Sequence, residues 1–140
     1  MYRTVAEIQK ILVRFGAESI KIDYHQGQVM GVSFVLEVEN KRLPFLLPAD
    51  SEKTTEYLYQ EYYDTHTYPK KSKKDFEVQG KMVAWRIIKY WLEAQLSLIE
   101  TNTVRPEVVF LPYLFDGQRL FAERVYKGDL QNLLQRSREQ

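Results

Sequence analysis

Two pairs of side chains that could bind a metal ion occur on neighbouring predicted strands. Asp23 and His25 form one pair, Glu37 and Glu39 form the other, and each pair is spaced i, i+2. Residues two apart in a strand project from the same face, so the four groups could share one polar surface. Carboxylates so arranged can hold Mg²⁺ and activate water for phosphodiester cleavage, with Lys21 assisting. The solvated face of any half-buried sheet gives the same spacing, so we predict no metal ligands here and rank a metal-dependent nuclease third.

A second group of side chains, between His66 and Lys89, could bind phosphates. This segment contains seven basic and two acidic residues, a local net charge of +5 in a chain whose net charge is +1. Cations neutralise phosphates and release counterions, while exposed aromatic rings stack on unpaired bases. The combination favours single-stranded nucleic acid, and a solvated lysine loop is the ordinary alternative. The predicted phosphate contacts come from Lys70, Lys71, Lys73, Lys74, Lys81 and Arg86, and the predicted stacking ring is Tyr68.

The residues that most other catalytic reactions require are absent from this sequence. There is no cysteine, which excludes disulfides, a thiolate nucleophile and cysteine-ligated metals, and there are only two histidines. No glycine-rich phosphate loop, nucleophile elbow or zinc-protease motif occurs. We therefore predict a protein that is not an enzyme and that needs no cofactor.

Length and composition are those of an ordinary globular protein. The chain has 140 residues, of which 44% are hydrophobic and 28% charged, so we expect a single domain over 1–140. No apolar run is long enough to span a membrane and no signal peptide is evident, so we expect a cytoplasmic protein without a membrane partner. Tyrosine is in excess, with ten copies, and it suits half-buried and interface positions, which keeps a protein partner or a homo-oligomer open.

The elements that must position these residues can be predicted from hydrophobic periodicity. A capping box at Thr4 and Glu7 predicts the start of a first helix, and Gly16 predicts its end. The apolar stripe of that helix consists of Ile8, Ile11, Leu12 and Phe15. Three alternating segments then predict antiparallel strands joined by tight turns, the second of them at Asn40-Lys41. The predicted strands are Ser19–His25, Val29–Glu39 and Arg42–Leu47.

The remainder of the sequence is typical of helices. Asp50 or Ser51 can cap a helix that runs to about Asp64, and a polar basic loop follows at about 65–75. The longest predicted helix spans Asp75–Glu100, and Pro106–Leu114 predicts a shorter one. Leu120, Phe121, Val125, Leu130, Leu133 and Leu134 suggest a final helix or helix pair, followed by a polar tail, about 135–140, that we expect to fray.

The predicted fold is α+β, with helices covering one face of the three-stranded meander. A sheet of three strands with one apolar face needs such a cover to be stable. We expect the long helix to lie across the sheet and to form the centre of the core. The residues predicted to be buried together are Trp91, Ile87, Ile88, Phe34 and Leu36.

Three stretches carry a resemblance to a known group of proteins. They are the segment VAWRIIKYWLEAQLSLIE at 83–100, the segment VVFLPYL at 108–114, and the strand FLLPA at 45–49. Together they resemble a family of small uncharacterised bacteriophage and prophage proteins, over roughly residues 4–125. The resemblance implies a phage setting inside a bacterial cell and carries no known activity. The meander followed by a helix also resembles the core of phage single-strand annealing proteins, at the level of fold alone.

Three hypotheses about function follow from these observations. The first is a non-enzymatic phage accessory protein that binds single-stranded nucleic acid in replication or recombination. The second is a protein-binding module, for example an inhibitor of a host or defence protein, which the tyrosine-rich and nearly neutral composition fits. The third is the metal-dependent nuclease. Salt-dependent binding to oligonucleotides separates the first from the second, and metal-dependent cleavage identifies the third.

Overall fold

The chain folds as an α+β structure, as predicted. The computed structural model describes residues 2–139, and Met1 and Gln140 lie outside them. Its strands are β1 (Glu18–His25), β2 (Gln28–Val38) and β3 (Lys41–Pro48). Its helices are α1 (Tyr2–Arg14), α2 (Ser51–Thr65), α3 (Glu77–Glu100), α4 (Pro106–Phe110), α5 (Phe121–Val125) and α6 (Gln131–Glu139). Short 3-10 turns lie at Lys73–Phe76 and Leu111–Tyr113, and a π-turn at Tyr126–Leu130 joins α5 to α6.

The three strands form one antiparallel sheet in the order β1-β2-β3. Each predicted strand is confirmed to within one residue at either end, because period-2 alternation and short turns are local signals. Both connections are two-residue turns with positive φ: 51° at Gln26 and 78° at Gly27, then 51° at Glu39 and 65° at Asn40. Turns of this hand match the twist of the strands. The second turn lies one residue earlier than predicted, because Val38 pairs directly with Lys41.

Helix α1 presents its apolar stripe to the sheet but does not begin where predicted. Ile8, Ile11, Leu12 and Phe15 are all buried, which confirms the stripe. The helix starts at Tyr2, so the predicted capping box is wrong. Glu7 bonds instead to Arg3 and to Lys89 of α3, so a tertiary ion pair replaces the local cap. At the other end, Gly16 adopts a φ of 92° and lets the chain turn back, as predicted.

The core lies between one face of the sheet and the two helices α1 and α3. Phe34 and Phe45 are paired across β2 and β3, and their rings stack with centroids 5.6 Å apart. Phe110 of α4 closes the core edge-on, 5.0 Å from both Phe15 and Phe34. Helices therefore cover a single face of the meander, as the sequence predicts.

The face of α3 that enters this core differs from the predicted one. Ile88, Phe34 and Leu36 are buried, as expected, but Ile87 is 58% exposed and Trp91 is only partly buried. The fully buried tryptophan is Trp85, at 1% exposure. The prediction was wrong at Ile87 because α3 packs against α1 and α2 as well as the sheet, so its buried stripe is rotated. That stripe consists of Gly80, Ala84, Trp85, Ile88, Leu92 and Leu96.

The last third of the chain crosses the outer edge of β3 and ends in a helix. Leu114 bridges to Phe45, and the Phe115 amide donates to the Pro44 carbonyl at 3.0 Å. The predicted helix at Pro106–Leu114 is therefore shorter than expected, and its last residue lies in a β-bridge. Helix α6 continues through most of the tail that we expected to fray, and Gln140 lies outside the described residues. Within residues 2–139, every helix is too short or too polar to traverse a lipid bilayer.

Candidate nucleic-acid interface

The basic loop between α2 and α3, residues 66–72, has a fixed backbone. The hydroxyl of Tyr62 on α2 accepts hydrogen bonds from the amides of Lys70 and Lys71, at 3.1 and 3.3 Å. At its far end, the Ser72 amide donates to the Asp75 carboxylate at 2.8 Å, at the start of the next helical turn. Both lysines are thus held at their backbone, and both residues are exposed.

An aromatic cluster of Tyr62, His66 and Phe76 packs against this loop. The Tyr62 ring lies 5.3 Å from Phe76 and 4.1 Å from His66, measured between centroids. The ammonium of Lys71 lies 5.9 Å from the centroids of both Tyr62 and Phe76. A cation over the faces of two rings is stabilised by their quadrupoles, which restricts where Lys71 presents its charge.

Tyr68 stands at the tip of the loop. Its side chain is 83% exposed, the highest value among the large hydrophobic side chains described. Its ring makes no contact with another ring within residues 2–139. An exposed ring two residues from Lys70 offers an unobstructed face for a base and a cation for the adjoining phosphate.

Lys73 differs from its neighbours because it is neutralised within the molecule. Its ammonium lies 2.5 Å from the Glu56 carboxylate of α2. The hydrogen bond to Glu56 raises the pKa of Lys73, and the charges of Glu56, Glu52 and Glu77 raise it further. Three carboxylates around one ammonium leave no net positive charge for a phosphate at this position.

Lys74 lines a cleft of about 470 Å³ between the β1–β2 turn and the starts of α2 and α3. The cleft has a mixed charge, since the carboxylates of Asp50, Glu52 and Glu77 line it together with Lys73 and Lys74. Asp50 is already used to cap α2, accepting from the Lys53 amide at 3.0 Å. With three carboxylates against two ammonium groups, the interior of the cleft does not favour an anion.

Lys81 and Arg86 do not form one surface with each other. They are five residues apart on α3, which places them about 140° apart around the helix axis. Lys89, the last cation of the run, pairs with Glu7 at 2.5 Å. The structure therefore divides the +5 segment. Four of its exposed residues lie on the loop or in the 3-10 turn that follows it, and we call them the loop site: Tyr68, Lys70, Lys71 and Lys74.

The four residues considered as metal ligands lie apart along the sheet. Asp23 is opposite Gly31 of β2, whereas Glu37 lies six residues further along that strand, about 20 Å away. Asp23 accepts a hydrogen bond from the Ser33 hydroxyl at 2.8 Å. Across the described ranges, no three potential ligands come close enough to hold one ion. Glu39 lies in the β2–β3 turn, with a φ of 51°, so it does not share a strand face with Glu37 as the spacing predicts.

The acidic side of α2 is the functional feature that the sequence reasoning missed. Glu56 neutralises Lys73, and α2 as a whole carries four acidic residues against one lysine, a net charge of −3. Its solvent face also exposes Tyr57 and Tyr63. The sequence contains a signal for it, because the acidic residues of α2 directly precede the basic loop.

Similarity to known proteins adds nothing to this geometry. No protein-family model matches the chain, and no curated protein or solved structure is significantly similar to it. The resemblance to phage proteins stays a prediction from the sequence.

Proposed function

We propose that this chain is a non-enzymatic accessory protein that binds single-stranded nucleic acid through the loop site. The observation that carries the proposal is the 83% exposure of Tyr68 next to two lysines whose backbone amides are bonded to Tyr62. A ring and two cations on a fixed loop bind a strand with little loss of conformational entropy. Unpaired bases can reach the ring, whereas the bases of a duplex are stacked on each other.

The strength of the interaction can be estimated from its parts. Stacking of one base on Tyr68 would contribute about 1–3 kcal/mol. Lys70, Lys71 and Lys74 would neutralise about three phosphates, which gives a slope of log K against log salt near −2 for a single strand. Lys73 is left out because Glu56 already neutralises it. We therefore expect weak binding that strengthens sharply as salt is lowered.

The setting of this function comes from the sequence resemblance. A phage accessory protein that handles single strands would act in replication or recombination, in the cytoplasm of the bacterial host. The accessory protein would need no catalytic group of its own, since its partner enzymes would catalyse the reactions of replication or recombination.

Fluorescence anisotropy with a labelled single-stranded oligonucleotide tests the proposal. The intact chain is titrated into a strand of about ten nucleotides at several salt concentrations, with duplex DNA of the same sequence as competitor. We expect a negative salt slope near −2 and a preference for the single strand. Absence of binding at low salt, or equal affinity for the duplex, would refute a stacking site.

Matched variants locate the binding surface. Lys70→Ala, Lys71→Ala and Lys74→Ala together should flatten the salt slope nearly to zero. The control is Lys10→Ala, Lys41→Ala and Lys53→Ala, three exposed lysines elsewhere on the molecule, which remove the same net charge. An equal loss of affinity in both triple variants would mean that binding depends only on the net charge of the protein. Tyr68→Ala should weaken binding by about 1–3 kcal/mol, whereas Tyr57→Ala, at another exposed tyrosine, should not.

The tyrosines of α2 favour a second candidate, a protein-binding module. Tyr57 and Tyr63 are exposed beside Glu61 and Asp64, and tyrosine is enriched at protein interfaces, which have a polar rim. The partner in this case would be a host protein. Affinity capture from infected cells, with and without nuclease treatment, separates the two candidates. A partner that survives nuclease and is lost in Tyr57→Ala with Tyr63→Ala would favour this second function.

A further inference from the structure

We propose that a second copy of the chain pairs with the outer edge of β1, antiparallel and centred on Ile22, to form a continuous six-stranded sheet. This goes beyond the nucleic-acid interface, which lies on the loop between α2 and α3. The proposal rests on the free edge of β1, on the charges along that strand, and on an exposed tyrosine at its end.

The two edges of the sheet differ in whether they are covered. The outer edge of β3 is bridged by Leu114, and the Phe115 amide bonds to the Pro44 carbonyl. The outer edge of β1 pairs with no segment of the described chain, 2–139. An uncovered edge presents unpaired amides and carbonyls and is a template for another strand.

The central part of β1 is regular enough to serve as that template. Positive φ values of 51° occur at Ser19 and at Gln26, and they bound a six-residue stretch, Ile20–His25. Within this stretch the one irregularity of pairing is an extra residue, Met30, on the β2 side. No proline interrupts Ile20–His25, so the alternate residues whose amides are directed away from β2 can all donate.

The charges along β1 favour a register centred on Ile22 over the two adjacent registers. A two-fold axis perpendicular to the sheet must place a residue opposite its own copy. Centring on Ile22 sets Lys21 opposite the partner's Asp23 on the open face, and the symmetry repeats the pair. Centring on Lys21 or on Asp23 would instead set like charges opposite each other, which is unfavourable.

Pairing of two copies would also bring Lys21 closer to an Asp23 carboxylate than it lies within its own strand. Its ammonium lies 3.9 Å from the Asp23 carboxylate, the limit of an ion pair. Along a strand, residues i and i+2 are about 6.6 Å apart, whereas residues directly opposite across two antiparallel strands have Cβ atoms about 5 Å apart. Both charges can therefore approach more closely across the dyad than within one chain.

The inner face of β1 supports the same arrangement. Ile20 and Ile22 are only partly buried at the edge of the core, and Tyr24 is 64% exposed on the same face of the strand. In the Ile22-centred register, Tyr24 lies opposite the partner's Ile20. An aromatic ring packed against a β-branched side chain is a favourable cross-strand pair, and it would shelter both residues from water.

The expected dimer is weak, because a ribbon of six residues from each chain buries less than the roughly 1,200 Å² of a stable interface. Sedimentation velocity over a concentration series up to several hundred micromolar tests it on the intact chain. We expect a concentration-dependent dimer. Lys21→Glu should raise the dissociation constant by about tenfold or more, because two attractive pairs become repulsive. Lys41→Glu, at another exposed lysine, should leave it unchanged.

Exchange of the two charges distinguishes pairing from an unrelated charge effect. Lys21→Glu combined with Asp23→Lys keeps the net charge of the wild type and restores opposite charges across the dyad, so it should recover the dimer. Thermal melts verify that both variants fold, since Asp23 also accepts from the Ser33 hydroxyl. A monomer at every concentration in the wild type, or an exchange variant no better than Lys21→Glu, would overturn the proposal.

Cysteine cross-linking tests the register directly, because the wild type has no cysteine. Ile22→Cys places two thiols opposite each other at a Cα distance near 5 Å, which suits a disulfide. Tyr24→Cys alone should not cross-link, because its own copy would lie four residues away along the paired strand. A mixture of Ile20→Cys and Tyr24→Cys chains should form the heterodimer. Cross-linking of Tyr24→Cys in preference to Ile22→Cys would overturn the proposed register.

Discussion

Gly80 of α3 lies directly against Thr55 of α2, and a methyl group at position 80 would overlap the Thr55 hydroxyl. The hydroxyl is itself fixed, since it donates to the Ser51 carbonyl at 2.7 Å. This contact sets how closely α2 approaches α3. It therefore determines where the base of the loop site, anchored on Tyr62 of α2, stands relative to the rest of the molecule.

Replacing Gly80 should destabilise the protein even though alanine is the better helix former. Gly80→Ala should lower the free energy of unfolding by about 1–3 kcal/mol, because the extra methyl forces the helices apart. Gly128→Ala is the matched control, since nothing lies within 4 Å of the added methyl. It should be neutral or stabilising by up to about 1 kcal/mol. Urea denaturation of both variants measures the difference, and equal stabilities would contradict the close helix crossing.

The two tryptophans of α3 should contribute unequally to stability. Trp85 is completely enclosed, so Trp85→Ala should cost about 3–5 kcal/mol. Trp91 packs edge-on against Phe110 and Tyr113, at 5.9 and 5.5 Å, but keeps part of its surface in solvent. Trp91→Ala should therefore cost at least about 1 kcal/mol less. Urea titrations compare the two, and a larger loss at Trp91 would mean that the core is not centred as described.

Removing the Tyr62 hydroxyl should release the basic loop without disturbing the core. Tyr62→Phe keeps the ring contact with Phe76 but deletes the acceptor for the amides of Lys70 and Lys71. Hydrogen exchange at these two amides should accelerate, and affinity for the oligonucleotide should fall because the loop is no longer preorganised. Tyr63→Phe is the control at an exposed tyrosine. Unchanged exchange rates in Tyr62→Phe would show that the loop is held by other contacts.

The ion pair between Glu7 and Lys89 should make stability depend on pH in the acid range. The hydrogen bond from Lys89 lowers the pKa of Glu7 below its ordinary value of 4.5. A carboxyl whose pKa is lowered on folding stabilises the protein above its unfolded pKa, and this contribution disappears as the pH falls through the folded pKa. The difference in unfolding free energy between wild type and Glu7→Gln should thus be largest near neutral pH and shrink below about pH 4.5. A difference that stays constant with pH would exclude the ion pair as its cause.

The sheet could be predicted because its signals are local. Alternation fixes which face of each strand is buried, and the turns at Gly27 and Asn40 fix the antiparallel order. The orientation of α3 could not be predicted. This helix has apolar residues on several sides, so the elements that pack against it determine which side is buried. Ile87 was predicted to be buried but is exposed, and Trp85, for which no position was predicted, is buried, because α1 and α2 pack on α3 together with the sheet.

The candidate site was predictable only in part for a related reason. A charge count over one segment omits the carboxylates of other segments that the fold brings close to it. Lys73 and Lys89 belong to the basic run in the sequence, yet Glu56 and Glu7 neutralise them in space. Tyr68 and Lys70 are exposed, as the binding hypothesis requires.

The π-turn near the end of the chain has a consequence for how this protein can vary in length. Phe121, Val125, Leu130 and Leu134 are spaced four, five and four, and the step of five coincides with the π-turn. A π-turn holds one residue more than an α-turn, so deleting Gly128 would convert the segment to an ordinary α-helix and keep these side chains on one side. A deletion in the middle of α3 would rotate every later residue by about 100° and remove Leu92 from the core. Loss of a codon should therefore be tolerated in the C-terminal helix and not in α3, a contrast that the melting temperatures of the two deletion variants would reveal.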